Sequence, residues 1–311
     1  MPRAATAALN YQLTTFAQGH MNDLRRTMEL AERLAPTVSV PGSNGQYKKF
    51  NDLNSFQLYN TARALGGEAL RIEFAATDEF FNCKPQALEV TVDKEERNQA
   101  GDLDIAQQLL DEGKIKALLN GIALSHVKKV TDIVIAAVPA EAGYGVWSNP
   151  DIDPIDQLDK VVDDLATACG STDGVKITMD LTSWRTLRNH PKVKARLIGV
   201  QVGTITLQQL MQMLAIPVDV AAYAISYNIA KLGQAQSKAR VLAANVLVTY
   251  GTASPTQYDP SAFKNFTTGQ GGVTSVRSYM TPSGFYDAHV VDWSEDIKQT
   301  STIAAKRLAI S

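Results

Sequence analysis

The sequence has few of the residues that build metal centres or disulfide frameworks. It contains two cysteines in 311 residues, Cys83 and Cys169, and they do not form a CxxC pair. This spacing excludes a cysteine zinc site and is typical of buried thiols in a reducing compartment. The chain also lacks a run of about eighteen apolar residues and an N-terminal apolar stretch of signal-peptide length, so we expect neither a membrane span nor a secretory leader.

A basic excess is also missing. The 30 Lys and Arg residues are outnumbered by 32 Asp and Glu residues, which gives a net charge of −2. Proteins that hold DNA through its phosphates usually carry a positive excess, so we do not expect strong electrostatic DNA binding. The composition, 45% hydrophobic and 20% charged, is that of a globular protein with a sizeable core.

Motifs for catalysis and nucleotide binding are absent as well. No G-x-S-x-G elbow occurs, and the glycines of "GYGVWS" (143–148) and "TGQGG" (268–272) lack the further glycine or lysine of nucleotide-binding loops. The four histidines have no ligand-spaced partners: His20, His126, His190 and His289. We therefore predict that the protein is not an enzyme and has no catalytic, cofactor-binding or metal-binding residues.

One acidic cluster needs separate consideration. Asp151, Asp153 and Asp156 form a D-x-D-x-x-D pattern, but the glycine and glutamate of a calcium-binding EF-hand loop are missing. Asp153 precedes Pro154 and a helical apolar stripe, which is typical of a helix N-cap. We interpret the cluster as structural. A soluble metal-dependent enzyme that uses these three carboxylates is a remote alternative.

The N-terminal quarter of the chain predicts extended structure with little core of its own. Residues 1–37 are expected to form an arm with one amphipathic helix, roughly Gln18 to Leu34. Residues 38–77 contain turn signals between weakly apolar runs, and "GQYKKF" and "EALRIEF" are predicted to be the strands of a long hairpin. Such a hairpin usually moves over an active site or docks onto a neighbour.

A long helix is predicted next. Asp93 is a plausible N-cap, the helix is expected to continue to about Lys128, and about thirty residues would span about 45 Å. Val130–Val138 is then predicted to be a buried strand. The buried stripe of the helix is expected to contain Ile105, Leu109, Ile115, Leu118, Leu119 and Ile122.

The second half alternates helices and strands, which predicts an α+β protein. A helix is expected from Pro154 to about Gly170, followed by a strand at Val175–Met179 and a helix around Leu207–Leu214. Further strands are predicted near Val218–Ile225 and Asn245–Tyr250. The last forty residues predict long edge-type strands, with the final apolar one returning to a core.

The most basic segment is "WRTLRNHPKVKARL" (184–197), which Pro191 divides into two short helical pieces. Its arginines and lysines project in several directions, whereas a DNA recognition helix needs one continuous polar face. We therefore favour a packed helix pair with a solvated, charged surface over DNA recognition. The residues expected to pack inward are Trp184, Leu187, Val193 and Leu197.

The order of these blocks resembles that of tailed-phage major capsid proteins with the Hong Kong 97-type fold. The most specific part is "VWSNPDIDPIDQLDKVVDDLATACG" followed by "VKITMDLTSWRTLRNHPKVKARL". In that family a tryptophan, a (D/N)P-I helix start and a strand leading to L-x-x-H-P-x-V-x-x-R recur in this sequence. By element order the resemblance covers nearly the whole chain.

The resemblance implies a domain layout. Residues 1–37 would be the N-terminal arm and 38–77 the extended β-hairpin loop, both embracing neighbouring subunits. Residues 78–138 with 272–311 would form the peripheral domain, which contains the long spine helix. Residues 139–271 would form the axial domain, at the fivefold and quasi-sixfold axes.

The resemblance also implies a function and partners. The chain would be the major capsid protein of a tailed DNA phage or prophage, a structural protein assembled in the host bacterial cytoplasm and found in the virion. It would self-assemble through hexamers and pentamers into an icosahedral shell around double-stranded DNA, with only weak non-specific DNA contact. A portal protein, a separate scaffolding protein and a decoration protein are the further partners that this family implies, and no membrane is involved. An encapsulin-like nanocompartment shell is the alternative.

Two family features are not expected. The arm begins near Met1, which leaves no room for an N-terminal scaffold segment and implies a separate scaffolding protein. Some relatives also link subunits through a lysine–asparagine isopeptide bond. Lys48 and Lys49 lie in the extended loop, but no matching acidic catalyst and asparagine motif accompanies them, so we predict no crosslink. The cations of 184–197 would then face solvent or acidic patches of adjacent subunits, such as the helix at 151–164.

Overall fold

The structure of the protein is a computed structural model, and it describes residues 7–50, 61–63, 65–69, 76–101, 103–196, 205–231, 233–252, 254–268, 275–281 and 283–310. The helices in these ranges are α1 (Tyr11–Asp23), α2 (Arg25–Leu34), α3 (Lys94–Ala100), α4 (Asp104–Ala137), α5 (Pro154–Cys169), α6 (Leu181–Asn189), α7 (Pro191–Arg196) and α8 (Leu207–Met213). The strands are β1 (Ala8–Leu9), β2 (Thr37–Val40), β3 (Asn44–Lys49), β4 (Thr77–Asn82), β5 (Lys84–Asp93), β6 (Val175–Asp180), β7 (Asp219–Tyr223), β8 (Ser226–Asn228), β9 (Lys238–Arg240), β10 (Asn245–Tyr250), β11 (Phe263–Thr268), β12 (Val276–Met280), β13 (Tyr286–Gln299) and β14 (Ala305–Ala309). The predicted α+β class is confirmed. None of these helices is long and apolar enough to span a bilayer.

The chain divides into two compact units, each assembled from separate stretches of sequence. The first unit contains Met1–Gly45, Phe81–Val130 and Asn265–Lys298. The second contains Gln46–Phe80, Thr131–Lys264 and Gln299–Ser311.

The first unit is built on a six-stranded sheet with the order β1-β12-β13-β11-β2, in which β5 also pairs with β13. The antiparallel ladder of β13 and β5 is long, from Tyr286 opposite Asp93 to Glu295 opposite Lys84. A core cluster joins α1 and α4 to β12 and β13. Its buried members are Leu13, Ala17, Ile115, Leu118, Leu119, Ile122, Val276 and Val291.

The N-terminal arm contains two helices where one was predicted. α1 begins after Asn10, whose side chain accepts a hydrogen bond from the Leu13 backbone N–H at 3.1 Å. It ends at Leu24, which has non-helical backbone angles, and α2 follows at once. The apolar residues Leu30, Ala31 and Leu34 of α2 are buried. The arm is therefore packed on its own unit over much of its length.

The long helix was predicted in part. Asp93 does cap a helix, since its side chain accepts from the Glu95 backbone N–H at 2.8 Å, but that helix is the short α3. It ends at Gly101, where φ is +94°, a backbone conformation that favours glycine. α4 then begins at Asp104 and has 34 residues, so it is about 51 Å long.

The buried strand predicted at Val130–Val138 is wrong, because α4 continues through this segment to Ala137. The β-branched residues favoured a strand by local propensity. Their buried positions nevertheless recur at helical spacing: Val127, Val130, Thr131 and Val134 are 0% exposed. Burial along one helical face has outweighed the weak local preference of valine and isoleucine for β-strands.

The predicted buried stripe of α4 is correct only in its middle. Ile115, Leu119 and Ile122 are buried as expected. Ile105 and Leu109 are 74% and 63% exposed, so their predicted burial is wrong for the single chain. The first turns of α4 present an uncovered apolar surface.

The second unit is built on a four-stranded sheet with the order β14-β10-β6-β7. The strands β6 and β10 were predicted correctly, and the apolar C-terminal strand β14 does return to a core, pairing with β10 with Leu308 fully buried. α5 begins and ends where Pro154 and Gly170 predicted. Its buried side chains are Pro154, Ile155, Gln157, Leu158, Val161, Val162, Leu165 and Cys169.

The extended hairpin is described in part. β3 corresponds to the predicted strand "GQYKKF" and pairs with β4. Lys48 Nζ lies 2.7 Å from Asp78 Oδ1, and Lys49 Nζ lies 2.8 Å from Glu79 Oε1. Most of the predicted strand "EALRIEF" lies outside the described residues. The described residues 61–63 and 65–69 are all exposed.

Candidate functional site

The loop before α5 is held by one buried amide side chain. Trp147 is 1% exposed, and its Nε1–H donates to Gln157 Oε1 at 2.9 Å. The backbone N–H of Gly145 donates to the same oxygen at 3.1 Å. Gly145 has φ +90°, and a Cβ there would overlap the Ala309 carbonyl oxygen, so a glycine is required. Gln157 therefore fixes the path of the loop against the first turn of α5.

Two of the three carboxylates of the D-x-D-x-x-D pattern, those of Asp153 and Asp156, have separate partners. Asp153 caps α5 by accepting from the Ile155 N–H at 3.0 Å, and it accepts from Arg196 Nη2 at 2.6 Å. Burial alone would raise the pKa of Asp153, but the hydrogen bonds from Arg196 and Ile155 outweigh it and lower the pKa. Asp156 accepts from Lys160 at 2.8 Å. In the described ranges, no group of three or more His, Cys, Asp or Glu side chains is placed to hold a metal ion.

The basic segment forms the predicted helix pair, α6 and α7, on either side of His190. The residues Trp184, Leu187 and Val193 are buried, as expected, while Leu197 lies outside the described residues. Nδ1 of His190 accepts from the Lys192 backbone N–H at 3.3 Å, so Nε2 carries the proton that is donated to the Asn149 carbonyl at 3.1 Å.

Two cations of this segment bind their own chain. Lys192 Nζ donates to the Asp151 carbonyl oxygen, and Arg196 pairs with Asp153. Together with His190 they hold the stretch before α5 in place. These contacts are intramolecular, whereas the sequence led us to expect solvent or an adjacent subunit at both side chains.

The remaining cations stay uncompensated. Arg185 and Lys194 are exposed, and neither has an ion-pair partner among the residues that the structure describes. Arg188 is half-buried, and its Nε atom is buried without a described hydrogen-bond acceptor.

An open groove lies between α6 and the loop before α5. Its volume is about 440 Å³. Its walls combine apolar rings, small hydroxyl and amide groups, and one guanidinium, but no carboxylate. They include Trp147, Pro150, Thr186, Arg185, Asn189 and Pro191. Shape and charge together suit a protruding acidic or hydrogen-bonding group from another molecule.

A buried carboxylate in the first unit joins β13 to α4. Glu295 is 4% exposed, and its two oxygens accept from Lys129 Nζ at 2.9 Å and lie 2.7 Å from His126 Nδ1. Burial alone would raise the pKa of Glu295, but the hydrogen bond and charge of His126, followed by those of Lys129, lower it to about 2. The group stays ionised at neutral pH. It stabilises the contact between the strand and the helix.

A second buried ion pair lies in the second unit. Lys264 is 0% exposed; its Nζ lies 3.1 Å from Asp259 Oδ1 and donates to the Asp259 carbonyl at 2.6 Å. Burial lowers the pKa of Lys264. Burial alone would raise the pKa of Asp259, but hydrogen bonds from Ser261 and Thr256 and the charge of Lys264 lower it.

Sequence reasoning missed Gln157, Glu295 and Lys264 as organising residues. His126 and Lys129, the partners of Glu295, lie more than 160 residues earlier in the chain, so no local sequence pattern reveals them. Gln157 stands ten residues after the tryptophan that it binds, and only the loop geometry connects the two. The predicted burial of the two cysteines is confirmed, since Cys83 and Cys169 are both buried and free.

Comparisons with known proteins identify the class of fold. The fold is that of Hong Kong 97-type phage capsid proteins, as the sequence predicted. No protein-family model and no curated protein sequence matches the chain.

Three solved structures illustrate the similarity. A phage-related protein from Bordetella bronchiseptica RB50 is 20% identical, with 97% of each chain covered and a TM-score of 0.74. A putative prophage capsid protein of E. coli CFT073 is 12% identical, with 99% of this chain and 100% of that chain covered and a TM-score of 0.56. The capsid structure of the cyanophage P-SCSP1u is 11% identical, with 89% and 86% coverage and a TM-score of 0.52. At these identities the similarity establishes the fold.

Proposed function

We propose that the protein is the major capsid protein of a tailed DNA phage or prophage. In this function it has no enzymatic activity and self-assembles through pentamers and hexamers into an icosahedral shell around double-stranded DNA. The observation that carries the proposal is the similarity of fold, end to end, to a phage-related protein and a putative prophage capsid protein.

Surfaces left uncovered on the single chain support this proposal. Leu103, Ile105 and Leu109 at the start of α4 are between 63% and 75% exposed. Leu65, in the segment predicted to be the extended loop, is fully exposed. Clustered apolar surface of this kind is typical of an interaction site, and a shell subunit would bury it against its neighbours.

The domain layout implied by the sequence remains part of the proposal. In it, the arm at 1–37 and the loop at 38–77 bind adjacent subunits. Residues 78–138 with 272–311 form the peripheral domain, and 139–271 form the axial domain. A separate scaffolding protein, a portal protein and a decoration protein are the further proposed partners, and the virion is the proposed location, after assembly in the host cytoplasm.

The charge of the chain also supports weak contact with packaged DNA. With a net charge of −2, the subunit has no general electrostatic attraction for phosphate. Weak DNA binding by the inner surface of the shell would allow the genome to slide during packaging and ejection.

Expression in bacterial cells together with the neighbouring structural genes tests the function. We expect shell-sized particles that sediment rapidly and that contain nuclease-protected double-stranded DNA once the packaging genes are included. Particles that instead enclose one enzyme and no DNA would show an encapsulin-like compartment. A soluble species of a few subunits in every gene combination would refute both.

A further inference from the structure

The second unit carries two charged surfaces of opposite sign that its own fold leaves unpaired. The acidic surface lies on the exposed face of α5, and the basic surface lies on α6 and α7 beside the groove lined by Trp147 and Arg185. We propose that the groove receives the acidic face of α5 from a second copy of the chain. This inference rests on the proposed self-assembly and specifies one of the surfaces that carry it.

The acidic surface is defined by Asp163 and Asp164. Both are exposed on the side of α5 opposite its buried stripe, and neither has an ion-pair partner among the described residues. Asp156 on the same face is already neutralised by Lys160 at 2.8 Å. The later turns of α5 therefore present two adjacent uncompensated carboxylates.

These two carboxylates do not line the groove of their own chain. Asp153 stands at the N-cap of α5, where it meets Arg196. Asp163 and Asp164 lie about 15 Å further along the helix axis, at 1.5 Å per residue. That distance exceeds the length of an aspartate side chain, so an occupant with this chemistry comes from another molecule.

The basic surface lacks acidic partners for Arg185 and Lys194 among the described residues of its own chain. Arg185 lines the groove, and Lys194 is exposed on α7. No carboxylate lines the groove. An incoming aspartate would give Arg185 the charge-assisted hydrogen bond that it lacks, and Lys194 adds positive charge on the neighbouring helix α7.

A contact between two different surfaces of identical chains is heterologous, and heterologous contacts close into rings when the rotation permits. The contact fits a capsomer-like ring. A groove of this size is only part of a specific interface, which buries at least about 1,000 Å². The charged contact would set how the two subunits are oriented and aligned. Apolar surface elsewhere would contribute most of the affinity between the subunits.

DNA is the competing occupant of a basic surface. The groove region is a poor match for it, because two of the five cations in the segment 184–197 already bind the same chain. A second copy of α5 offers carboxylates at a fixed spacing and fits better.

Charge reversal tests the proposal. The variants are R185E/K194E, D163K/D164K and the quadruple variant that contains all four changes. All four side chains are exposed, so each variant is expected to fold. At equal subunit concentration and low salt, each double variant should lower the assembled fraction by about tenfold or more, because attraction becomes repulsion at every copy of the contact. The quadruple variant restores opposite charges and should return to within about twofold of the unmodified protein.

Lys231→Glu with Lys238→Glu is the matched control, since both lysines are exposed in the same unit and lie outside the groove. Assembly is measured by sedimentation velocity, which resolves rings and small oligomers as well as complete shells. Circular dichroism and a thermal melt verify folding for each variant, and retention on double-stranded DNA is measured in parallel.

Three results would overturn the inference: double variants that assemble like the unmodified protein, a folded quadruple variant that recovers nothing, or loss of DNA retention in R185E/K194E with assembly intact. The last result would assign the surface to nucleic acid. If the unmodified protein forms only rings or small oligomers, the shell proposal fails, while the response of those oligomers to charge reversal still decides whether this contact exists.

Discussion

Replacing Glu295 by glutamine should destabilise the first unit in a manner that depends on pH. Glutamine has the same shape as glutamate but no charge, so His126 and Lys129 would face a neutral group. The fall in the pKa of Glu295 from 4.5 to about 2 corresponds to about 3 kcal/mol of stabilisation at neutral pH. The same order of loss is expected when one partner of a buried ion pair is removed.

The sign of the pH dependence follows from the direction of the shift. Because the pKa of Glu295 is lower in the folded protein, its contribution is fully present above about pH 4.5 and is lost as the pH falls towards 2. The stability difference between the original protein and Glu295→Gln should therefore be about 3 kcal/mol at pH 7 and should shrink steadily between pH 4.5 and pH 2.

Urea unfolding of unassembled subunits, followed by tryptophan fluorescence at several pH values, measures this difference. Glu68→Gln is the matched control, because Glu68 is exposed and should change stability by less than about 0.5 kcal/mol. A Glu295→Gln variant as stable as the control at pH 7, or a loss that stays constant down to pH 2, would show that ionised Glu295 does not stabilise the first unit in this way.

Three further outcomes are expected. Gln157→Leu should cost about 2–4 kcal/mol in urea unfolding, because it leaves the buried N–H groups of Trp147 and Gly145 without an acceptor; a loss below about 1 kcal/mol would contradict this. Ile105→Ser with Leu109→Ser should change the stability of the single chain by less than about 0.5 kcal/mol, since both side chains are exposed, yet reduce the assembled fraction in sedimentation; the reverse pattern would show that they belong to the core. The thiol of Cys169 should resist alkylation at pH 8 until the chain unfolds, because burial raises its pKa to about 11; rapid labelling of the folded protein would contradict this.

The sequence predicted best those elements whose boundaries are set by local chemistry. α5 begins and ends as predicted because Asp153, Pro154 and Gly170 supply a cap, a first-turn proline and a left-handed terminator within one short segment. The break between α6 and α7 followed from Pro191 for the same reason. These features depend on residues that are close together in the chain, so they can be recognised from a single sequence.

Elements that depend on tertiary burial were harder to predict. The segment Val130–Val138 is rich in β-branched residues, and its continuation as part of α4 is decided by the helical spacing of its buried positions. The opposite error occurred at Ile105 and Leu109, where apolar spacing predicted burial that the single chain does not provide. A subunit interface produces the same sequence pattern as a core, so periodicity alone does not separate the two.

The charged surface of the second unit was predicted only in outline. The sequence predicted that "WRTLRNHPKVKARL" forms a packed helix pair, and α6 and α7 confirm it. It gave no indication that Lys192 and Arg196 bind the stretch before α5, because those contacts join residues about forty positions apart. Only the remaining cations are available to a partner.

Electron microscopy of the purified protein, expressed together with the proposed scaffolding protein, shows whether the chain assembles into a shell. We expect closed icosahedral shells whose subunits have the fold described above and are arranged as pentamers and hexamers. A preparation that remains a small soluble oligomer, with the proposed scaffolding protein present and the subunit folded, would contradict the proposed shell-forming function.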